Sequence, residues 1–250
     1  SNTGQKLMLI KGSTNLNNTP QVGQVDSGQL YLVNYLPSGF VNSTIPITSN
    51  SLNTIAGFDL MSSGQAVVAY SSLAGIVLNV VSNNQIVQSS LIPMPITSSY
   101  KTLDLVTTPT NIFVLLTLPN QNSIINSMLI KMDNNLNIIW SKQFEGGLNV
   151  DLSKIAYFND QLVVTGNFSG EYVLPTGDTL NSIGMDPLAL VLDMGGNIIN
   201  YVTGSGTGDD MAVDLTITPS GKAVLMGCYK GSSLTIGDKV FDESDTLNKI

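Results

Sequence analysis

Four aspartates recur at one place in a repeating sequence, and no histidine accompanies them. Asp59, Asp104, Asp151 and Asp214 each sit in an apolar-Asp-apolar triplet: Phe58-Asp59-Leu60, Leu103-Asp104-Leu105, Val150-Asp151-Leu152 and Val213-Asp214-Leu215. The absence of histidine removes Ser-His-Asp and Cys-His catalysis, His-ligated zinc and imidazole proton switching together. Carboxylate chemistry or a binding surface remains. As a functional set, the four acids would form a ring around a channel, for a cation or a sugar. As structural residues, each would cap a turn by accepting backbone N–H bonds. A residue present in every unit favours the second reading.

Other acids have a spacing that could hold calcium through oxygen ligands. Asp209, Asp210 and Asp214, with the Gly204 to Gly208 turn, form one candidate metal site; Asp238, Asp242, Glu243 and Asp245 form another. Neither matches an EF-hand loop, and solvated turn acids are the alternative. No other cofactor is expected. Gly204-Ser205-Gly206-Thr207-Gly208 has the glycine content of a phosphate loop but no helix or lysine to follow it, so that reading is rejected. Cys228 follows an apolar strand and has no histidine to activate it, so a packed or half-buried thiol is expected. Trp140, Tyr157, Phe158 and Tyr201 could stack on sugars, but core packing explains them as well. Asn17, Asn42 and Asn167 open N-x-S/T triplets, which matter only in a glycosylating host.

These residues are positioned by a repeat of about 60 residues. Leu129-Ile130-Lys131-Met132-Asp133 returns as Ala189-Leu190-Val191-Leu192-Asp193, and Gly166-Asn167-Phe168-Ser169-Gly170 as Gly227-Cys228-Tyr229-Lys230-Gly231. Each unit reads as strand, polar turn, strand, the Asp triplet, a turn and a short apolar strand. Those apolar strands are Ala66–Tyr70, Ile112–Leu116, Leu162–Thr165 and Ala223–Met226, all expected to be buried on both faces. Met8-Leu9-Ile10-Lys11 is identical to Met128-Leu129-Ile130-Lys131, so the N-terminus is expected to carry an opening strand. No window has helical periodicity with caps. One small sheet cannot cover both its faces, and stacking sheets radially would do so.

The expected fold is therefore all-β: a β-propeller of four complete repeat units plus a partial unit split between the termini, as a closed ring or a segment of a larger propeller. Residues 1–250 form one domain on this reading. Its units are 31–76, 77–127, 128–187 and 188–248, with 1–30 and 249–250 forming the partial unit; Met8 to Lys11 could close the ring beside Lys249-Ile250.

Charged residues make up only 11% of the chain, against roughly 25% in ordinary soluble domains. The net charge is −8 without basic clusters, which argues against nucleic acid and against anionic membrane surfaces. One cysteine allows no intrachain disulfide, and no apolar run is long enough to span a bilayer.

Within Ala189 to Asp238, the pattern L-x-L-D-x-x-G-N-I-I, then G-x-G-D-D-x-A-V-D-L, then S-G-K-A-V-L-x-G resembles the SBBP-type β-propeller repeat of large secreted and cell-surface bacterial proteins. The glycine-acid turn of that repeat falls on Gly206 to Asp210, and its hairpin on Ser220-Gly221. Trp140-Ser141-Lys142 fits the W-x-K that ends its opening hairpin. The first two units lack the glycine-acid turn. The resemblance implies a scaffold or adhesin module without catalytic residues. A non-enzymatic extracellular or cell-surface module is thus expected, with protein partners or self-assembly into an array or filament, and binding through the variable loops. A carbohydrate-binding propeller is the alternative, and a carboxylate-based glycan hydrolase or lyase the third possibility.

Overall fold

The computed structural model describes residues 6–11, 29–38, 41–47, 56–94, 101–119, 125–144 and 149–242. All regular structure in them is β, and no helix is present to cross a membrane. The chain divides into two compact units, 1–96 and 97–250.

In the first unit, β1 (Lys6–Lys11), β2 (Leu30–Tyr35) and β3 (Val41–Pro46) form one antiparallel sheet. A second is built in chain order from β4 (Ala56–Leu60), β5 (Ala66–Ser72), β6 (Gly75–Ser82) and β7 (Gln85–Pro93). Leu30, Leu32, Ile45 and Ile47 of the first sheet share a core with Ala66, Val68 and Val81 of the second.

The second unit repeats the four-stranded meander twice. One copy is β8 (Thr102–Thr107), β9 (Asn111–Pro119), β10 (Ile125–Asp133) and β11 (Ile138–Phe144). The other is β12 (Asn149–Phe158), β13 (Gln161–Val173), β14 (Thr179–Asp193) and β15 (Ile198–Gly206). A hairpin of β16 (Met211–Ile217) and β17 (Ala223–Cys228) follows, and then β18 (Ser233–Ile236) and β19 (Lys239–Asp242), with β18 pairing β15. The first strands β8, β12 and β16 pack against one another in succession. A parallel bridge between Ile125 and Asn149 joins the two meanders. Each four-stranded sheet takes its first two strands from the end of one sequence repeat and its last two from the start of the next.

Continuous apolar sequence becomes a strand covered on both faces. Ile112 to Leu116 and Val67 to Ala69 have no exposed surface, and Leu162 and Val164 match them. The shared core joins Phe113, Leu115 and Leu129 to Val150, Leu152, Leu188 and Leu190. The hairpins are set by local chemistry. Asn83-Asn84 and Asn159-Asp160 both hold two successive positive φ angles, the two-residue turn whose twist suits a hairpin. After β10 and β14, Asp133 and Asp193 make the same turn. Each Oδ1 accepts the N–H groups of the second and fourth residues on, and Oδ2 accepts the amide of Asn137 or Asn197.

Two expectations are corrected. Met8–Lys11 and Met128–Lys131 occupy different places: β10 is the third strand of its sheet, between β9 and β11, whereas β1 is an edge strand on β2 with β3 beyond it. Four residues of strand sequence do not set pairing; the surrounding turns and partners do. The matching turn at Asn15 to Asn17, and Lys249-Ile250, lie outside the described residues. The second correction concerns β17, whose six residues are all exposed although its sequence is that of a buried strand. Among the described residues it pairs with β16 alone, without the third strand that flanks β5, β9 and β13.

Candidate functional site

The recurring aspartates lie within strands, not at turns, because the triplets form the first strand of each sheet. In the first unit, Asp59 on β4 accepts the N–H of Leu60 at 2.8 Å. In the second unit, the equivalent acids reach across the seams between sheets. Asp104 Oδ2 on β8 accepts the N–H of Ile155 on β12 at 3.1 Å. Asp151 Oδ2 on β12 accepts a hydrogen bond from Lys101 Nζ, just before β8. Asp214 on β16 accepts its neighbour Leu215 N–H at 2.9 Å and lies 3.8 Å from Lys154 Nζ of β12. Burial pushes the Asp104 carboxyl above the usual carboxylate range, and the Ile155 N–H and the Lys154 charge oppose that rise. Asp151 Oδ1 is buried and has no hydrogen-bond partner among the described residues. The acids are the struts of a joint between sheets, two of them bonded to lysines from the adjoining sheet.

Uncharged residues that sequence reasoning passed over complete the joint. Ser127 Oγ on β10 donates to Val150 O at 2.8 Å and accepts from Leu152 N–H at 2.7 Å. Thr117 Oγ1 on β9 donates to Leu152 O at 2.7 Å. These groups satisfy the backbone at the bulge between Leu152 and Lys154, where ladder pairing is interrupted. Asn167 on β13 does the same for β16: its Oδ1 accepts Ala212 N–H at 2.8 Å. The visible signal was a lone polar residue inside an otherwise apolar strand. Asn167 is only 8% exposed, so its N-x-S triplet is not a surface feature. Asn42 is exposed, and Asn17 lies outside the described residues.

The glycine-acid turn forms a third cluster, and it gains a member the sequence did not flag. Asp210 is fully buried; its Oδ1 accepts Lys230 N–H at 2.8 Å, and its own N–H donates to Met185 O. Asp209 Oδ1 accepts Met185 N–H at 3.3 Å. Asp186, 1% exposed, accepts Gly206 N–H at 3.2 Å. Burial raises the Asp186 carboxyl above its usual range, and the Asp210 charge adds to that. A Cβ on Gly206 would occupy the place of Asp210 Oδ2, so glycine there makes room for the carboxylate. Asp209 and Asp210 therefore share one turn, while Asp214 stands on β16 beside Lys154. Among the described residues, no three acidic, His or Cys side chains come together as a metal-holding group. Of the other calcium candidate, Asp238 and Asp242 lie at the ends of the β18–β19 hairpin, and Glu243 and Asp245 lie outside the described residues.

The second unit carries a cleft of about 310 Å³ between β11, the β13–β14 turn and the Asp193 turn. Lys142, Gln143, Tyr172, Thr176 and Asn197 line it, with Lys142 Nζ bonded to Asn197 Oδ1 at 2.7 Å. Burial pushes the Tyr172 hydroxyl up to about 12. Trp140 packs edge-on against Phe113, under Lys142. Tyr157 and Tyr201 also pack against the core, which accounts for three of the four flagged aromatics. The fourth, Phe158, lies against Gly221. Cys228 is exposed, against the expectation of a packed or half-buried thiol, because β17 pairs with β16 alone among the described residues.

No family model matches the chain, and no curated protein matches it. Solved structures resemble it distantly, among them the following two. A bifunctional GH43-CE protein of Bacteroides eggerthii is 11% identical, with a TM-score of 0.37 over 79% of this chain and 23% of that one. A subtype N10 neuraminidase-like protein of A/little yellow-shouldered bat/Guatemala is 15% identical, with a TM-score of 0.35 over 70% of this chain and 54% of that one. This chain thus spans about a quarter of the first and about half of the second.

Proposed function

We propose that this chain is a non-enzymatic β-propeller module of the SBBP type, a scaffold or adhesin that mediates protein–protein assembly at the cell surface or outside the cell. The observation that carries this reading is the use made of the recurring acids. Asp104, Asp151 and Asp214 bond to the backbone and lysines of neighbouring strands, which is the work of a joint between stacked sheets. Successive packing of β8, β12 and β16 supports a radial arrangement. Residues committed to the frame are unavailable for chemistry, so recognition falls to parts that differ between repeats. The low charge and the apolar side chains left exposed on β16 and β17 suit contact with protein. A concentration series by sedimentation, with purified surface proteins added in separate runs, tests it. A chain that stays monomeric and retains no protein partner would defeat the reading.

Glycan recognition is the second reading, favoured by the cleft beside β11, where Lys142, Thr176 and Asn197 stand among apolar residues. Titration with neutral and acidic oligosaccharides, read by chemical-shift changes at Trp140 and Tyr172, tests it. Unchanged spectra at millimolar sugar would remove it.

A further inference from the structure

We infer that Asp186 and Asp210 hold a calcium ion at the glycine-acid turn of the second unit, with Ser233 O as a third oxygen beside them. Three segments bring the acids together. Asp186 lies on β14, Gly206 ends β15, and Asp210 stands in the connection to β16. The Asp210 N–H donates to Met185 O at 2.6 Å, which sets Asp210 beside the residue that precedes Asp186. Both carboxylates then meet at Gly206. Asp186 Oδ1 accepts the Gly206 N–H at 3.2 Å. Asp210 Oδ2 fills the place that a Cβ on Gly206 would take, and Ser233 O lies 3.1 Å from that same point. This set differs from the one the spacing suggested, because Asp186 arrives from another strand and Asp214 stays beside Lys154.

The enclosure of these acids calls for a positive charge. Asp186 is 1% and Asp210 0% exposed. Asp210 Oδ1 accepts the Lys230 N–H, whereas Asp210 Oδ2 is buried with no hydrogen-bond partner among the described residues. The described lysines that form ion pairs go to Asp151 and Asp214 instead. Two carboxylates taken out of water are costly unless a counter-charge joins them. Burial and the Asp210 charge both raise the Asp186 carboxyl, so one proton is the least the pair demands. A divalent cation answers both charges at once. Two carboxylates and a carbonyl are oxygen donors, which select a hard cation. Their irregular placement suits calcium better than magnesium, which demands near-ideal octahedral geometry. So few charged ligands put the affinity at about 10⁻⁴ to 10⁻³ M. A pocket of about 340 Å³ lies against the same turn, lined by Gly184, Thr207, Gly208 and Asp209, and brings solvent to the neighbour of Asp210.

The test is calorimetric titration of the whole chain with calcium chloride, after chelator treatment and at constant ionic strength, paired with thermal melts. One site and a melting temperature that rises with calcium are expected. Binding should release protons and weaken in acid, because the cation displaces the proton on Asp186. Asp186→Asn and, separately, Asp210→Asn keep the side-chain shape and should weaken calcium binding at least about tenfold. Asp214→Asn should bind as the parent does. In chelator, Asp186→Asn should melt no lower than the parent, so its lost binding is not lost folding. Absence of heat and of any rise in melting temperature up to about 10 mM calcium overturns the site and leaves the pair held by a proton. An unchanged calcium response in both asparagine variants overturns it too. So does an equal rise with magnesium, since the ion would then only screen the chain's charge of −8. The assembly reading uses neither Asp186 nor Asp210 and stands or falls separately.

Discussion

β13 and β17 are the same strand of the repeat, and their surroundings could hardly differ more. Leu162, Val164 and Thr165 have no exposed surface, while Val224, Leu225 and Met226 are about half exposed. The apolar residues are comparable; the neighbours are not. β13 lies between β12 and β14 and packs against β16, whereas β17, among the described residues, pairs with β16 alone. An apolar run in a sequence states a requirement for cover, and only the arrangement of the chain shows whether the requirement is met.

The largest test of this contrast is truncation of one buried and one exposed leucine. Leu190→Ala, on the strand that covers β13, should cost about 3 kcal/mol in urea unfolding, from lost transfer energy and a cavity. Leu225→Ala should cost less than about 1 kcal/mol in dilute solution. A loss at Leu225 as large as that at Leu190 would mean that β17 is covered in solution.

The seams give a second contrast, between hydroxyl and ion pair. Ser127→Ala leaves Val150 O and Leu152 N–H buried without that partner and should destabilise by about 2 kcal/mol. Asp214→Ala removes a half-exposed acid 3.8 Å from its lysine and should change stability by about 0.5 kcal/mol or less. If the order were reversed, the charged residues would be the main fasteners of the joint.

Acid and neutral pH separate the buried acids from the turn acids. The raised carboxyl of Asp186 binds its proton more tightly in the folded chain than in the unfolded one. Its stabilising contribution is full below the ordinary carboxylate value and is lost as pH rises through the folded value. Asp186→Asn should therefore be more stable than the parent at neutral pH, with the two converging as pH falls through the carboxylate range. Asp133 and Asp193 are held below the usual range, chiefly by Asn137 and Asn197. Their contributions run the other way: present above the ordinary value and lost as pH falls through the depressed one. Thermal melts across pH 3 to 7 of Asp186→Asn and Asp193→Asn should slope in opposite directions relative to the parent.

The smallest expected effect is at a hairpin. Asn84 holds φ 62°, and Asn84→Gly should raise stability by about 0.5 kcal/mol where the turn, not the surrounding packing, sets the conformation.

Much of the frame was legible in the residues. The β-only architecture followed from apolar strands punctuated by Asn, Asp and Gly turns, and the Asp133 and Asp193 turns have matching hydrogen bonds because their spacing is the same. Ser127, Thr117 and Asn167 were harder to see. Each looks like an ordinary polar interruption until the strand beside it exposes an unpaired carbonyl or N–H. Asp186 was invisible for the same reason, since its environment comes from Gly206 and Asp210, distant in the sequence.

Local chemistry by itself determined which stretches are strands, where the turns fall and which side chains demand burial, because those depend on neighbours within a few residues. Only the tertiary structure decided that identical Met-Leu-Ile-Lys segments take different places, that the recurring aspartates of the second unit reach neighbouring strands instead of capping turns, and that the residues of β17 are exposed. Pairing is a choice among distant strands of similar chemistry, and the energy that settles it lies in contacts no single strand contains.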